Sequence, residues 1–180
     1  VFLETLRSAF GDDFGLGAMP GFMDSAASIL HLTGATGCLY GFADGGSSKR
    51  CLPTLLWFDA EDAVNLPTDA PERQLLEPGT PPRNRLDPLT VFWADRVSDG
   101  TAETNLPLDH CGHGSQPVVT MRSAWADPDA WFVGVKGGSP QGPHGHMDGG
   151  SFILEAHGQR WVLDLGAENY HHIESLGMNL

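Results

Sequence analysis

Hydrophobic and polar positions change their rhythm partway along the chain. Phe2, Leu3, Leu6, Ala9 and Phe10 fall at helical spacing, and Gly11 marks a stop. A second helix is predicted over 20–32, with Pro20 near its start, Gly34 beyond its end, and Phe22, Ala26, Ile29 and Leu30 on one apolar face. A third is predicted over 53–63. Between them, 34–46 reads as a glycine-rich connection holding Tyr40 and Asp44-Gly45-Gly46. Six prolines punctuate 65–88, a loop or linker with one short helical turn at 71–76. The run 89–94 is short and apolar, helix or strand. From about residue 116 the segments 117–121, 131–136, 151–156 and 160–165 are short, β-rich and separated by turns, with 156–159 as a hairpin loop. Helices followed by strands predict an α+β chain whose second part is antiparallel. The expected division is 1–95 and 96–180.

Composition narrows the partners. The 180 residues are 41% hydrophobic, enough for a core, and no run approaches the ~18 apolar residues of a membrane span. A net charge of −13 argues against nucleic acid. Cys38, Cys51 and Cys111 are odd in number and lack CxxC spacing, so neither a disulfide framework nor a cysteine-rich zinc site is indicated. Val1 opens the sequence and Leu180 closes it without a terminal signal, and the chain is read as an internal piece of a longer protein.

The sharpest candidate chemistry is His144-Gly145-His146-Met147-Asp148, directly before a strand. In extended chain, residues two apart point the same way, so both imidazoles can converge. If 151–156 and 160–165 pair as a hairpin, Asp164 returns toward the His144–Asp148 turn. Two histidines and a carboxylate make a common zinc set. The blander alternative has His146 capping a turn and Asp164 binding backbone amides. Asp148 is an orienter of imidazole or, more simply, part of an Asp-Gly turn. Arg122 and Lys136 are candidates to contact an acidic substrate, against a default of solvated surface. Tyr170, His171 and His172 follow in a loop. Tyr40 is a proton donor in principle and packing by default. His31, His110, His113 and His157 receive no role. A cupin motif would want Glu four or five residues after His146, where Gly150 and Ser151 stand.

Three blocks, Lys136-Gly137-Gly138-Ser139-Pro140, His144-x-His146-Met147-Asp148-x-Gly150-Ser151-Phe152 and Gly158-x-Arg160-Trp161-Val162-Leu163-Asp164-Leu165-Gly166, followed by Tyr170, resemble the heparinase II/III-like polysaccharide lyases. Met19-Pro20-Gly21-Phe22, Leu32-Thr33-Gly34-Ala35-Thr36-Gly37 and Asp44-Gly45-Gly46 are similar to the end of that family's helical domain. The resemblance implies the C-terminal part of an (α/α) toroid followed by an antiparallel β-sandwich, both incomplete here. It implies β-elimination of uronic-acid polysaccharides, heparin-like or alginate-like. That reaction needs a neutralised carboxylate, a base for the C5 proton and an acid for the leaving oxygen.

By residue, the resemblance places His144 in the catalytic cleft and gives His146 and Asp164 as two ligands of a structural Zn²⁺. It puts the catalytic Tyr and its Asn or His partner before Val1 and a third zinc ligand after Leu180, so the piece alone is expected to be inactive. Arg122, Lys136 and Tyr170 are the expected substrate contacts. The expected partner is an acidic polysaccharide, with a homo-oligomer as a way to cover an exposed sheet edge. The expected location is periplasmic or extracellular. The alternatives are a non-catalytic carbohydrate-binding or metal-stabilised β-domain and an unrelated metal-dependent hydrolase.

Overall fold

A computed structural model describes residues 1–49, 51–101, 104–139, 146–166 and 169–177, with Tyr170 described in its backbone only. The chain divides into two compact units, Val1–Leu30 with Cys51–Leu106, and His31–Arg50 with Pro107–Leu180. The expected break at 95–96 differs from this in two ways. The helical unit runs on to 106, and 31–50 belongs with the strands.

In the first unit, α1 spans Phe2–Phe10 and ends on Gly11, whose φ of 73° only glycine adopts cheaply. The second helix, α2, is shorter than predicted, Ser25–His31, because Gly21 takes a left-handed φ of 78° after Pro20 and delays its start. Its last residue, His31, falls in the second unit. Helix α3 spans Pro53–Ala60 with Pro at its first turn. The expected turn at 71–76 is a 3-10 helix, Pro71–Leu76, and the ambiguous apolar run is another, Asp87–Phe92. Leu55, Leu56, Trp57, Leu66 and Trp93 form the core of this unit.

The second unit holds a five-stranded antiparallel meander, with strands in sequence order: β1 Asp109–Gly112, β2 Val118–Arg122, β3 Phe132–Lys136, β4 Phe152–Ala156 and β5 Gln159–Val162. The predicted strands are all present, and β1 is added to them. The β4–β5 turn places His157 at φ 52° and Gly158 at φ 69°, two left-handed residues in a two-residue loop. That is a type I′ hairpin, whose twist matches the strands it joins. A short helix α4, Tyr170–Ser175, replaces the expected loop. Asn169 caps it by accepting the amides of His171 and His172.

Alternation sorts the sheet into two faces. Val118, Thr120, Arg122, Phe132, Gly134, Lys136, Ile153 and Glu155 are buried. Over them runs the segment 31–49, a strap rather than a free connection. It folds on itself through bridges Thr33↔Leu39 and Cys38↔Lys49. Its Tyr40, with Leu32, Ala35 and Phe42, packs on Val118, Phe132 and Ile153. Gly134 makes the approach possible, since a Cβ there would stand 2.5 Å from Tyr40 Cδ1. On the other face, the ladder places Val119 beside Val135 and Phe152, and Met121 beside Val133, Leu154 and Val162. This face is apolar and partly or wholly exposed, the kind a second sheet covers in a sandwich. Among the described residues there is one sheet.

The strap is fastened by charge as well as packing. The Glu155 carboxylate, fully buried, accepts Arg160 Nε at 2.7 Å and a second guanidinium nitrogen, and takes the Thr36 amide at 2.8 Å. Arg160 also donates to Cys38 O at 3.1 Å and Leu39 O at 3.2 Å. At the other end, Arg122 donates to the carbonyls of His31 and Thr33 and lies over Trp125, its guanidinium carbon 3.5 Å from the ring centroid. Burial draws Arg122 down to about 10, which still leaves it charged at neutral pH.

His31 sits where this end meets the sheet. It is buried, stacks on His110 at 4.4 Å and meets the edge of Trp125. Its Nδ1 has no hydrogen-bond partner among the described residues. Burial, then the His110 and Arg122 charges, push it from 6.5 to about 4. The folded state therefore binds fewer protons than the unfolded one between those values. Stability is full above about pH 6.5 and falls as pH drops toward 4, by at most about 1.4 kcal/mol per pH unit. Urea unfolding across that range checks this: the wild-type slope is expected, and His31→Phe flattens it.

Candidate functional site

One edge of the strap-covered face gathers the residues that carried the sequence signal. Asp148 lies in the turn before β4, where its carbonyl accepts the Ser151 amide at 2.9 Å. Its carboxylate pairs with the ammonium of Lys136 and accepts the Ala43 amide at 3.4 Å. Burial opposes ionisation of Asp148, but Lys136 outweighs it and holds the carboxyl below the usual range. The turn reading of Asp148 is thus correct and incomplete, since the same residue also ties the strap to the sheet.

Tyr40 adds a hydroxyl from the strap. It is 3% exposed and donates to Ser151 O at 3.2 Å. Burial, reinforced by the Asp164 and Asp148 charges, pushes this phenol up, so it stays protonated at neutral pH. Packing and a polar tie are both its role.

The described members of the proposed metal and catalytic set are His146 and Asp164; His144 lies outside the described residues. Nε2 of His146 stands 3.1 Å from Asp44 Oδ1, with both side chains partly exposed. Asp164 accepts Ser151 Oγ at 3.3 Å and the Gly166 amide at 2.8 Å. The hairpin therefore returns Asp164 to the start of β4, as the register argument expected, while one of its oxygens binds a backbone amide, as the blander alternative held. An imidazole and a carboxylate are suitable donors for zinc. Yet among the described residues no group of three or more His, Cys, Asp or Glu is placed to hold a metal. These residues alone do not make a metal centre, and no chemical step is routed through one here.

The proposed substrate cations are placed inside. Arg122 is 7% exposed and Lys136 2%, which corrects the expectation of solvated surface. Both share a phase with buried neighbours on their strands, and both have named partners, the strap carbonyls and Asp148. The backbone of Tyr170 opens α4, and His171 and His172 beside it are exposed.

Sequence reasoning missed Asp44 as a partner of His146. Its only signal in the sequence is the Asp44-Gly45-Gly46 string. The described contacts set one imidazole beside one carboxylate, His146 with Asp44, and a protonated phenol, Tyr40, near Asp148 and Asp164.

No curated protein matches the chain. Residues 117–177 match the family model described as Heparinase II/III-like, C-terminal. That span takes in β2 to β5 and α4, with His146, Asp148 and Asp164. Over this stretch the chain is similar to the heparinase II/III-like family, in agreement with the resemblance read from the motifs between Lys136 and Tyr170.

Proposed function

We propose that the chain is part of a polysaccharide lyase that cleaves uronic-acid polymers, heparan-sulfate-like or alginate-like, by β-elimination. The observation that carries this is the family match over 117–177, which takes in β2 to β5 and the hairpin that returns Asp164 to Ser151 at the start of β4. The half-covered sheet supports the sandwich part of the reading, and the unit of Val1–Leu30 with Cys51–Leu106 is assigned to the end of a helical toroid. In β-elimination a base takes the C5 proton, the C4–O4 bond breaks, a C4=C5 double bond forms and O4 is protonated. Imidazole serves such transfers near neutral pH. His144 is assigned to the cleft on resemblance. Zinc at His146 and Asp164 belongs to the reading only with donors outside the described residues; elemental analysis showing about one zinc per chain, lost in His146→Ala, tests it. Secretion to the periplasm or beyond suits a polymeric substrate. No described helix is long and apolar enough to cross a membrane.

The full-length protein carrying this chain is expected to raise ultraviolet absorbance when mixed with a uronate polymer, and His144→Ala to lower the rate by about 100-fold or more. Binding of such polymers without any rise would sink the lyase reading in favour of a carbohydrate-binding domain.

A further inference from the structure

We infer that Asp44 is a positioning residue for His146, fixing the proton on Nε2 and leaving the lone pair of the neutral ring on Nδ1. The argument starts from the contact. An ionised carboxylate accepts hydrogen bonds and donates none. With Asp44 Oδ1 3.1 Å from Nε2, an ionised Asp44 can hold this contact as a hydrogen bond only when Nε2 carries the hydrogen. The ring's other nitrogen then holds the lone pair in the neutral form. This is the way a carboxylate partner sets tautomer and ring orientation in metal and acid–base sites.

The strap is built to hold Asp44 there. A tight turn joins the Gly45 amide to Phe42 O at 2.9 Å, with Ala43 in the left-handed region at φ 53°. A non-glycine residue adopts that conformation only when its surroundings enforce it. Here Asp148 does so, accepting the Ala43 amide while paired with buried Lys136. One residue on, Asp44 faces His146. Lys136, Asp148 and the turn therefore make a rigid mount for the imidazole's partner. Asp44 lies outside the stretch that matches the family model.

The inference concerns the same site as the lyase reading and rests on it for what His146 does, not for how it is held. Carbon and nitrogen NMR shifts of the His146 ring, assigned by difference against His146→Gln, report the tautomer without metal or polysaccharide. The Nε2–H form is expected in the wild type. Asp44→Ala should change the tautomer ratio about tenfold or more, and Asp44→Asn, whose amide oxygen still accepts, should restore part of it. An Nδ1–H ring in the wild type overturns the inference, as does an Asp44→Ala ring with an unchanged ratio in a protein whose amide spectrum stays folded. In the full-length enzyme Asp44→Ala is expected to slow cleavage by about 10–100-fold. An inactive wild type with the Nε2–H form intact would count against the lyase reading and leave Asp44's role standing.

Discussion

Glu155→Ala is expected to lower the unfolding free energy by about 3–5 kcal/mol, the usual result of stranding one member of a buried ion pair. Arg160 would keep its bonds to the Cys38 and Leu39 carbonyls but lose the only negative charge among its named contacts. Thr36 would lose the acceptor of its amide. Because Arg160 and Thr36 together fasten the strap, loss should appear there first, as faster amide exchange over 33–41 than in the strands. Thermal and urea unfolding measure the total. A double variant, Glu155→Ala with Arg160→Met, should recover part of the loss, since it removes the stranded charge. A melting temperature within a degree of wild type for the single variant would show that the pair does not hold the strap.

Lys136→Met is expected to cost a similar amount, about 3–5 kcal/mol, for the mirror-image reason. Methionine fits the buried stem of lysine, so the core contact survives and the charge is what disappears. Asp148 would then sit partly buried beside Tyr40 and the Ala43 amide without its cation. Asp148→Asn in the same molecule should restore much of the stability. The consequence for the site is specific. The Asp44 turn loses its mount, so the His146 tautomer ratio should loosen in Lys136→Met even under conditions where the protein stays folded. Stability equal to wild type would contradict the pairing of Lys136 with Asp148.

These residues also show what one sequence discloses. Helix α1, the turn at Pro71–Leu76 and four of five strands follow from spacing, proline and β-rich runs. Strand β1, Asp109-His110-Cys111-Gly112, has no apolar alternation and exists by pairing with β2. The strap looks like a bare connection in the sequence because its order comes from partners more than 100 residues away, such as Asp148 for Ala43 and Glu155 for Thr36. Local pattern carries no trace of such pairs.

The general rule for charged residues puts Arg122 and Lys136 on the surface. Their strands already held the contrary signal. Arg122 is in phase with Val118 and Thr120, and Lys136 with Phe132 and Gly134, on the faces that proved buried. At the site, the hairpin register was enough to bring Asp164 back to the start of β4. It could not show that Asp44 would meet His146, because that contact needs the fold of the strap.

The central claim is that this chain serves an enzyme that breaks uronate polymers by elimination. Mass analysis of the fragments released from a defined uronate oligosaccharide by the full-length protein tests it most directly. Elimination predicts two fragments whose masses sum to that of the parent, one bearing an unsaturated uronate at its new non-reducing end. Fragments that together exceed the parent by one water per cut would identify hydrolysis and contradict the account.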